Sequence, residues 1–432
     1  MAVVGALTVA ACAPPGAPPA PPVPTTTLPP RQACTVPARS AQSSAAVAPV
    51  PAAPEPGAPA LTGSAEITTA ATDAVQEAAR AGEDSVTVVA VDDHGRPSSI
   101  DAPLDRAVDV ALATAQRLDV VAVEAPSYGE ALDAGATTTT TAPLPADPDV
   151  DKQWALASFP FSALWACSKG ALITVGIVDS GVQGDHPDLA GRVLGGASIQ
   201  GGVVTPNGGT KDVNGHGTHV AGIIGAGVNG VGIVGVAPEV TILPVRVLDS
   251  NGVGANSDIG AGITWAADHG ANVINISIGS NTNSVSVSSA VDYAVQRGVT
   301  VVAAAGNNHQ QNPPDVPQYP AALDSTVAVA ALSQSGGIAG YSTTGAYVDV
   351  AAPGSNIWSS VPPSTWGTKS GTSMASPHVA ALIALILGSR GSVAPAAMLA
   401  RLTSTATDAG PVGFDPMFGW GRIDPIAALD AP

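Results

Sequence analysis

The sequence predicts an α/β fold, a mostly parallel sheet sandwiched by helices, preceded by a small separate α/β unit. Three observations carry this expectation. From Asp147 onward, short β-branched runs alternate with Ala-rich stretches of helical length. The runs are continuously apolar rather than alternating, as strands covered on both faces must be. The mean hydropathy of +0.27 is carried by Ala, Val and Gly rather than by bulky residues, which suits close packing of helix on sheet.

Composition narrows the function. The chain has 432 residues, of which 12% are charged, yet its formal net charge is −18 and it has only four lysines. Nucleic acid and anionic membranes both need a cationic face, so neither is an expected partner. No apolar stretch reaches the ~18–20 uninterrupted residues of a spanning helix; the longest, Val379 to Leu387, is too short. Three cysteines, Cys12, Cys34 and Cys167, form no CxxC pair or Cys/His cluster, so no structural zinc is expected.

Along the chain, residues 1–12 read as a secretory signal: Met1 to Ala11 is a run of apolar and small residues. The ending Val9-Ala10-Ala11-Cys12 resembles a lipobox, which would make Cys12 a lipid anchor and the protein secreted or attached to the cell envelope. Residues 13–60 are a Pro/Ala/Thr-rich spacer with too little bulky apolar surface for a core. Residues 61–135 hold the small α/β unit: a helix over Ile67–Ala81, a strand over Ser85–Val91, turn chemistry in Asp92-Asp93-His94-Gly95, a helix through Leu104, Val108, Ala111, Ala115 and Leu118, and a strand over Val120–Glu124. Residues 136–146, with the run Thr137 to Thr141, form a linker.

Residues 147–432 carry the large unit. Its expected strands are Ile173–Val178, Val240–Val247, Asn272–Ile278, Val299–Ala304, Thr326–Ala331 and Tyr347–Val350. Right-handed crossovers would put their C-terminal ends on one side, where open α/β sheets place their sites.

Four stretches sit at the ends of those elements. Val175-Gly176-Ile177-Val178-Asp179 is a strand ending in a carboxylate; alone, Asp179 could be a turn or cap. Asn214-Gly215-His216-Gly217-Thr218-His219 opens a Gly/Ala-rich helix, and alone His216 could be a surface residue. Val301 to Asn308 is a strand running into asparagines, which alone suggests a turn. Gly371-Thr372-Ser373-Met374-Ala375-Ser376-Pro377-His378 puts Ser373 at the start of an apolar helix, where a serine is often a cap. Together they have another meaning. Asp, His and Ser are the groups of a hydrolytic triad, Asn307 supplies an oxyanion donor, and the order Asp, His, Ser is one of the known chain orders.

The neighbourhoods of Asp179, His216 and Ser373 resemble the three signature motifs of the subtilisin-like serine proteases. The likeness extends from about Asp147 to Asp424, and includes Asn275-Ile276-Ser277-Ile278-Gly279 and the closing Gly419-Trp420-Gly421-Arg422-Ile423-Asp424. Two departures are visible: the Asp179-to-His216 interval is extended around Gly201–Lys211, and Ala381 stands where the family usually has Gly.

The resemblance implies a serine endopeptidase working through an acyl-enzyme. His216 would take the Ser373 proton, Asp179 would hold the imidazole, and Asn307 with the Ser373 amide would hold the oxyanion. His219 is read as a packing residue. Substrate would add as a strand along Ser277, Ile278 and Gly279 and along Gly252 and Gly254. No acidic cluster lies beside these segments, so the slot for the residue before the scissile bond is expected to be neutral and fairly apolar. The resemblance also implies a structural Ca²⁺ held by Asp188, Gln153 and Asn229 with the loop Gly227–Ile233. It makes the small unit an inhibitory prodomain, a partner supplied by the chain itself besides protein or peptide substrates. No disulfide is assigned. A pseudoprotease that only binds, or a transpeptidase or peptide cyclase sharing the acyl-enzyme, remain the alternatives.

Overall fold

The continuously apolar runs become the inner strands of one eight-stranded sheet. In the computed structural model, the residues described are Thr68, Ala71 and Thr72 and the ranges 85–91, 97–103, 105–115, 119–124, 146–311 and 314–431. They fall into two units, a small one within 37–143 and a large one comprising 146–410 and 414–431.

In the small unit, β1 (Ser85–Val91) pairs antiparallel with β2 (Pro97–Pro103) on one side. Helix α1 (Ala107–Ala115) follows, and β3 (Asp119–Glu124) closes the other side of β1. Ala107 and Ala111, one turn apart, are buried. Of the helix expected over 67–81, Thr68, Ala71 and Thr72 are helical, and the remainder, like the turn at 92–95, lies outside the described residues. Strand β2 was not anticipated: prolines bound it and Ile100 is its only large apolar residue. An edge position tolerates that composition.

The large unit begins with short helix α2 (Trp154–Ser158), then β4 (Thr174–Asp179), β5 (Ala197–Gln200), β6 (Val203–Pro206), helix α3 (His216–Gly225), β7 (Thr241–Arg246), helix α4 (Asn256–Asp268), β8 (Val273–Ile276), helix α5 (Val285–Gln296), β9 (Thr300–Ala304), β10 (Val327–Leu332) and β11 (Val350–Pro353). The sheet order is β11-β10-β9-β8-β4-β7-β5-β6, and every pairing except β5/β6 is parallel. All six strands expected from sequence are present. Five shift by a residue or two; the last lies at Val350–Pro353 rather than Tyr347–Val350.

A hairpin of β12 (Ile357–Val361) and β13 (Thr365–Lys369) leads into α6 (Thr372–Arg390), followed by α7 (Pro395–Ser404) and α8 (Pro425–Asp430). Helices α3 and α6 pack on one face of the sheet, and α4 and α5 on the other. Helix α6 is long and apolar enough to cross a membrane, but it is the core helix. Every residue from Thr372 to Leu387 is buried except Ser373. A helix apolar all round belongs inside a protein, and its one partly open position draws attention.

The extended interval between Asp179 and His216 is the β5–β6 hairpin at the sheet edge. Its turn, Gly201 and Gly202 at φ +59 and +77, is closed by the Asp258 carboxylate, which accepts both glycine amides at 2.8 and 2.9 Å. The closing segment runs alongside β11 through Ala351 and Arg422. Cys167, whose pairing the sequence left open, is disulfide-bonded. Its partner is not among the described residues, and spacing alone could not have shown the pairing.

Candidate active site

Asp179 ends β4 and is fully buried, with His216 at the first turn of α3 above it. Both carboxylate oxygens lie 2.9 Å from His216 Nδ1, and Oδ1 also accepts the Ser180 amide at 2.7 Å. The close approach depends on Gly217, where a Cβ would fall 2.1 Å from the Gly181 carbonyl oxygen. The imidazole remains 23% exposed, enough for a substrate to reach it. Burial pulls its pKa down, but the charge and hydrogen bond of Asp179 outweigh burial, so the net shift is upward from 6.5.

A residue that motif reading missed fixes this helix start. The N-cap residue Gly215 has no side chain, so Asp212 does the capping from three residues earlier. Its Oδ1 accepts Ser180 Oγ, Asn214 N and Gly215 N at 2.8, 3.0 and 2.7 Å; its Oδ2 accepts Thr218 N and Oγ1 at 2.9 and 2.6 Å. Ser180 Oγ in turn accepts Gly217 N at 3.0 Å, so the segments bearing Asp179 and His216 share one network.

Ser373 lies in the first turn of α6. Pro377 has no N–H to give the Ser373 carbonyl, the bond a helix would normally make there. Ser277 Oγ fills that place, donating to Ser373 O at 2.9 Å, while Ser373 Oγ donates to Ser277 O at 3.1 Å. Asn275 Nδ2 donates to Ser277 Oγ at 2.9 Å and its Oδ1 accepts Ser376 Oγ at 2.7 Å, so the end of β8 and the start of α6 are locked together. The Ser373 hydroxyl is thus turned to Ser277 rather than hydrogen-bonded to His216.

The two expected oxyanion donors lie close together. Asn307 Oδ1 accepts Thr372 N at 2.9 Å and Thr372 Oγ1 at 3.1 Å, capping α6 in place of Gly371 and leaving Nδ2 to face outward. Thr372 Oγ1 also accepts Gly306 N at 3.1 Å. A Cβ on Gly371 would lie 3.4 Å from Asn307 Nδ2 and 3.7 Å from Ser373 N, so both donors border one small space that a glycine keeps open. Asn308 is structural: its Oδ1 accepts Thr343 Oγ1 at 2.6 Å and its Nδ2 donates to the Val316 carbonyl at 2.8 Å.

Of the expected substrate segment, Ser277 is buried, Ile278 half-buried and Gly279 exposed. Gly252 and Gly254 lie in a turn that Asp249 closes by accepting Val253 N at 2.9 Å; Asn214 Nδ2 ties the turn to the His216 segment through the Ser250 carbonyl at 3.0 Å. His219 is buried, as expected, with Nε2 near the Ile357 and Gly367 carbonyls, and burial pushes its pKa down to about 3. Burial likewise pushes His378 down to about 4. Neither has the carboxylate that His216 has.

Among the residues expected to hold a cation, Asp188 is buried, its Oδ2 facing Trp366 Nε1 and Ser360 Oγ. Asn229 Nδ2 donates to the Pro187 carbonyl at 3.0 Å, beside Asp188. Gln153 is directed elsewhere: its Nε2 donates to Val234 O at 2.8 Å and its Oε1 accepts Val234 N at 2.9 Å. The carboxylate that reaches this loop is Asp147, whose Oδ1 accepts Asn229 N and Gly230 N at 3.0 and 2.7 Å. A short stretch of Asp and Pro residues gave no signal for that role.

Comparison with known proteins agrees with this geometry. The subtilase family model matches residues 170–421. Subtilisin DY from Bacillus licheniformis is 42% identical over 260 residues, covering 60% of this chain and 92% of that protein. Thermitase from Thermoactinomyces vulgaris is 47% identical over 228 residues, 52% of this chain and 78% of its own. Subtilisin E from Bacillus subtilis is 44% identical over 259 residues, 60% of this chain and 66% of its own. With the sheet, the paired Asp179 and His216, and a family match across more than half its length, the chain belongs to the subtilase family of serine endopeptidases.

Proposed function

We propose that the chain cleaves peptide bonds through Asp179, His216 and Ser373 by way of an acyl-enzyme, with Asn307 as oxyanion donor. The observations that carry this reading are the buried Asp179 carboxylate gripping His216 Nδ1, and Ser373 as the one residue between Thr372 and Leu387 of α6 that is not buried. A serine hydroxyl is a poor nucleophile until a base takes its proton. Rotation about the Ser373 side chain would exchange the Ser277 carbonyl for His216 Nε2. His216 would accept the proton as Ser373 Oγ attacks the carbonyl carbon, then return it to the leaving amine. Asp179 would stabilise the imidazolium, while Asn307 Nδ2 and the Ser373 amide bond the oxyanion at the positive end of α6.

Substrate would lie as an added strand between the Ser277–Gly279 and Gly252–Gly254 segments. The family match spans residues 170–421, within the large unit, so the N-terminal residues are read from chemistry. We take residues 1–12 as an export signal with Cys12 a possible lipid attachment point, and 61–135 as a prodomain that inhibits the cleft until cleavage in the 125–148 region. The three-stranded unit with its own helix suits a separately folding inhibitor.

The cation site can be tested against the residues present. Asp188 Oδ1 is buried with no hydrogen-bond partner among the described residues. Burial holds the Asp188 carboxyl above its ordinary pKa despite the Trp366 and Ile233 hydrogen bonds, a cost that a bound cation would remove. Asp147, Asp188, Asn229 and carbonyls of the loop 227–233 would hold Ca²⁺, in place of the expected set that included Gln153. Bound there, the ion would neutralise Asp188 and tie the N-terminal segment to the loop.

Ser373→Ala should abolish turnover of a protein substrate and labelling by a serine-directed phosphonate while leaving the melting temperature near wild type; retained cleavage removes Ser373 from the mechanism. Since His216 must be neutral to act as base and its pKa lies above 6.5, kcat/KM should fall as pH drops, half-lost above pH 6.5. In Asp179→Asn the main influences opposing burial are gone, so the residual activity should show that limb at lower pH; an unmoved limb would unseat the pairing. Asn307→Ala should lower kcat by about 10²–10³, a magnitude that comes from subtilisin and not from this geometry. A chelator should lower the melting temperature of the purified enzyme and Asp188→Asn should blunt that response; identical melting in chelator and in excess Ca²⁺ argues against the site.

A further inference from the structure

His216 stands between two glycines. Gly215 takes φ +90, a value that side chains rarely adopt, and Gly217 packs against the Gly181 carbonyl. Neither neighbour has a side chain with which to fix the backbone that carries the imidazole. Both are held through their amides instead, and both amides lead to Asp212. Gly215 N donates to Asp212 Oδ1 at 2.7 Å. Gly217 N donates to Ser180 Oγ at 3.0 Å, and Ser180 Oγ donates to the same Asp212 oxygen at 2.8 Å.

The network closes at the other carboxylate. Ser180 N donates to Asp179 Oδ1 at 2.7 Å, and that oxygen lies 2.9 Å from His216 Nδ1. Val213 N donates to the Ser180 carbonyl at 3.3 Å, a second tie between the two segments. Ser180 therefore bridges two carboxylates. Its amide serves Asp179, which faces the imidazole, and its hydroxyl serves Asp212, which holds the backbone on either side of it. Asp212 receives five donors on two oxygens. A carboxylate, an acceptor at every site, can take them all; an Asn would set its own N–H groups against N–H and O–H groups.

Resting on the reading of His216 as the base, we propose that Asp212 is a positioning residue for the reaction, acting through Ser180 and the two glycine amides to hold the imidazole against Asp179. Displacing a reacting group by about 1 Å can cost about 10²-fold in rate, even when the change lies away from the chemistry. Loss of Asp212 should therefore slow the reaction more than it weakens substrate binding. Its charge acts at the same place. Burial, the largest influence on His216, favours the neutral imidazole; Asp179 from β4 and Asp212 from the segment before α3 favour the imidazolium, and Lys369 from β13 opposes them. His219, on α3 itself, stays neutral down to about pH 3 and adds no charge near neutrality. Without the Asp212 charge, His216 takes up its proton at lower pH.

The test compares the full chain as wild type, Asp212→Asn and Ser180→Ala on one peptide p-nitroanilide, with active sites counted by phosphonate titration and rates followed down the acid limb. Asp212→Asn should lower kcat per active site by about tenfold to 10²-fold, leave KM within about threefold and shift the limb to lower pH. Ser180→Ala keeps the Asp212 charge but cuts its link to Gly217, so kcat should fall by about tenfold while the limb stays where wild type has it. The double variant should lose little more than Asp212→Asn alone, because both changes break one network. A merely structural Asp212 would lower the melting temperature and the fraction of active sites but leave kcat per site and the limb unmoved, and that result overturns the assignment. If Asp212→Asn is unfolded at the assay temperature, Ser180→Ala decides, and a wild-type kcat per site in that variant overturns the assignment equally. A wild type that neither turns over the anilide nor takes the phosphonate removes the protease reading itself, and this inference with it.

Discussion

The Ser373 carbonyl is the point on which the site turns. Pro377 deprives it of its helical partner, and a buried carbonyl without a partner costs free energy comparable to a lost hydrogen bond. Ser277 meets that need, so the start of α6 is bonded to the end of β8 rather than to its own next turn. The bond runs both ways, because the Ser373 hydroxyl is returned to the Ser277 carbonyl. A proline inside a helix therefore joins the proposed nucleophile to the segment along which substrate is proposed to lie. Core packing sets the position of α6, and these two bonds set its register against the cleft.

Electrostatics follows the same pattern of buried groups completed from afar. Asp179 is fully buried, and its charge is met by the His216 imidazole and the Ser180 amide. Asp212 carries a second negative charge close by, but four of its five hydrogen bonds hold the start of α3 and the fifth holds Ser180. Three histidines, His216, His219 and His378, lie on α3 and α6, and environment separates them. Burial leaves His219 and His378 neutral far below physiological pH, whereas the Asp179 charge reverses burial at His216. Only His216 is set to change protonation near neutrality.

The legible part of this protein was local. Continuous apolar runs revealed the parallel strands, and Asp179, His216, Asn307 and Ser373 could be found because each stands at an element end inside a short recognisable stretch. What stayed hidden acts across the chain. Ser277 serves Ser373 at 96 residues' distance, Thr372 orients Asn307 at 65, and Asp147 reaches Asn229 at 82. None of these pairings has a periodicity or spacing to betray it. The missed hairpins have another cause: β6 is exposed throughout and β13 has no buried residue, so neither bears the buried apolar pattern on which strand reading depends. Gln153 illustrates a related limit of sequence, since an amide that satisfies one residue's backbone, as it does for Val234, is indistinguishable there from one facing an ion.

These placements separate chemistry from selectivity. Asp179, Thr372 and Ser376 are fully buried, and His216, Asn307 and Ser373 are fixed to strand or helix ends by bonds that any change would break. The Gly252–Gly254 turn stands on a largely exposed loop, attached by a few hydrogen bonds to backbone. Substitution in the first group removes support from a buried polar group, a loss with no local remedy. Substitution in the second changes the shape of a slot while the sheet beneath it stays as it was. On the proposed reading, a fold arranged in this way can hold the support of its reacting groups constant and vary the exposed turn that borders the substrate, because that turn lies outside the core.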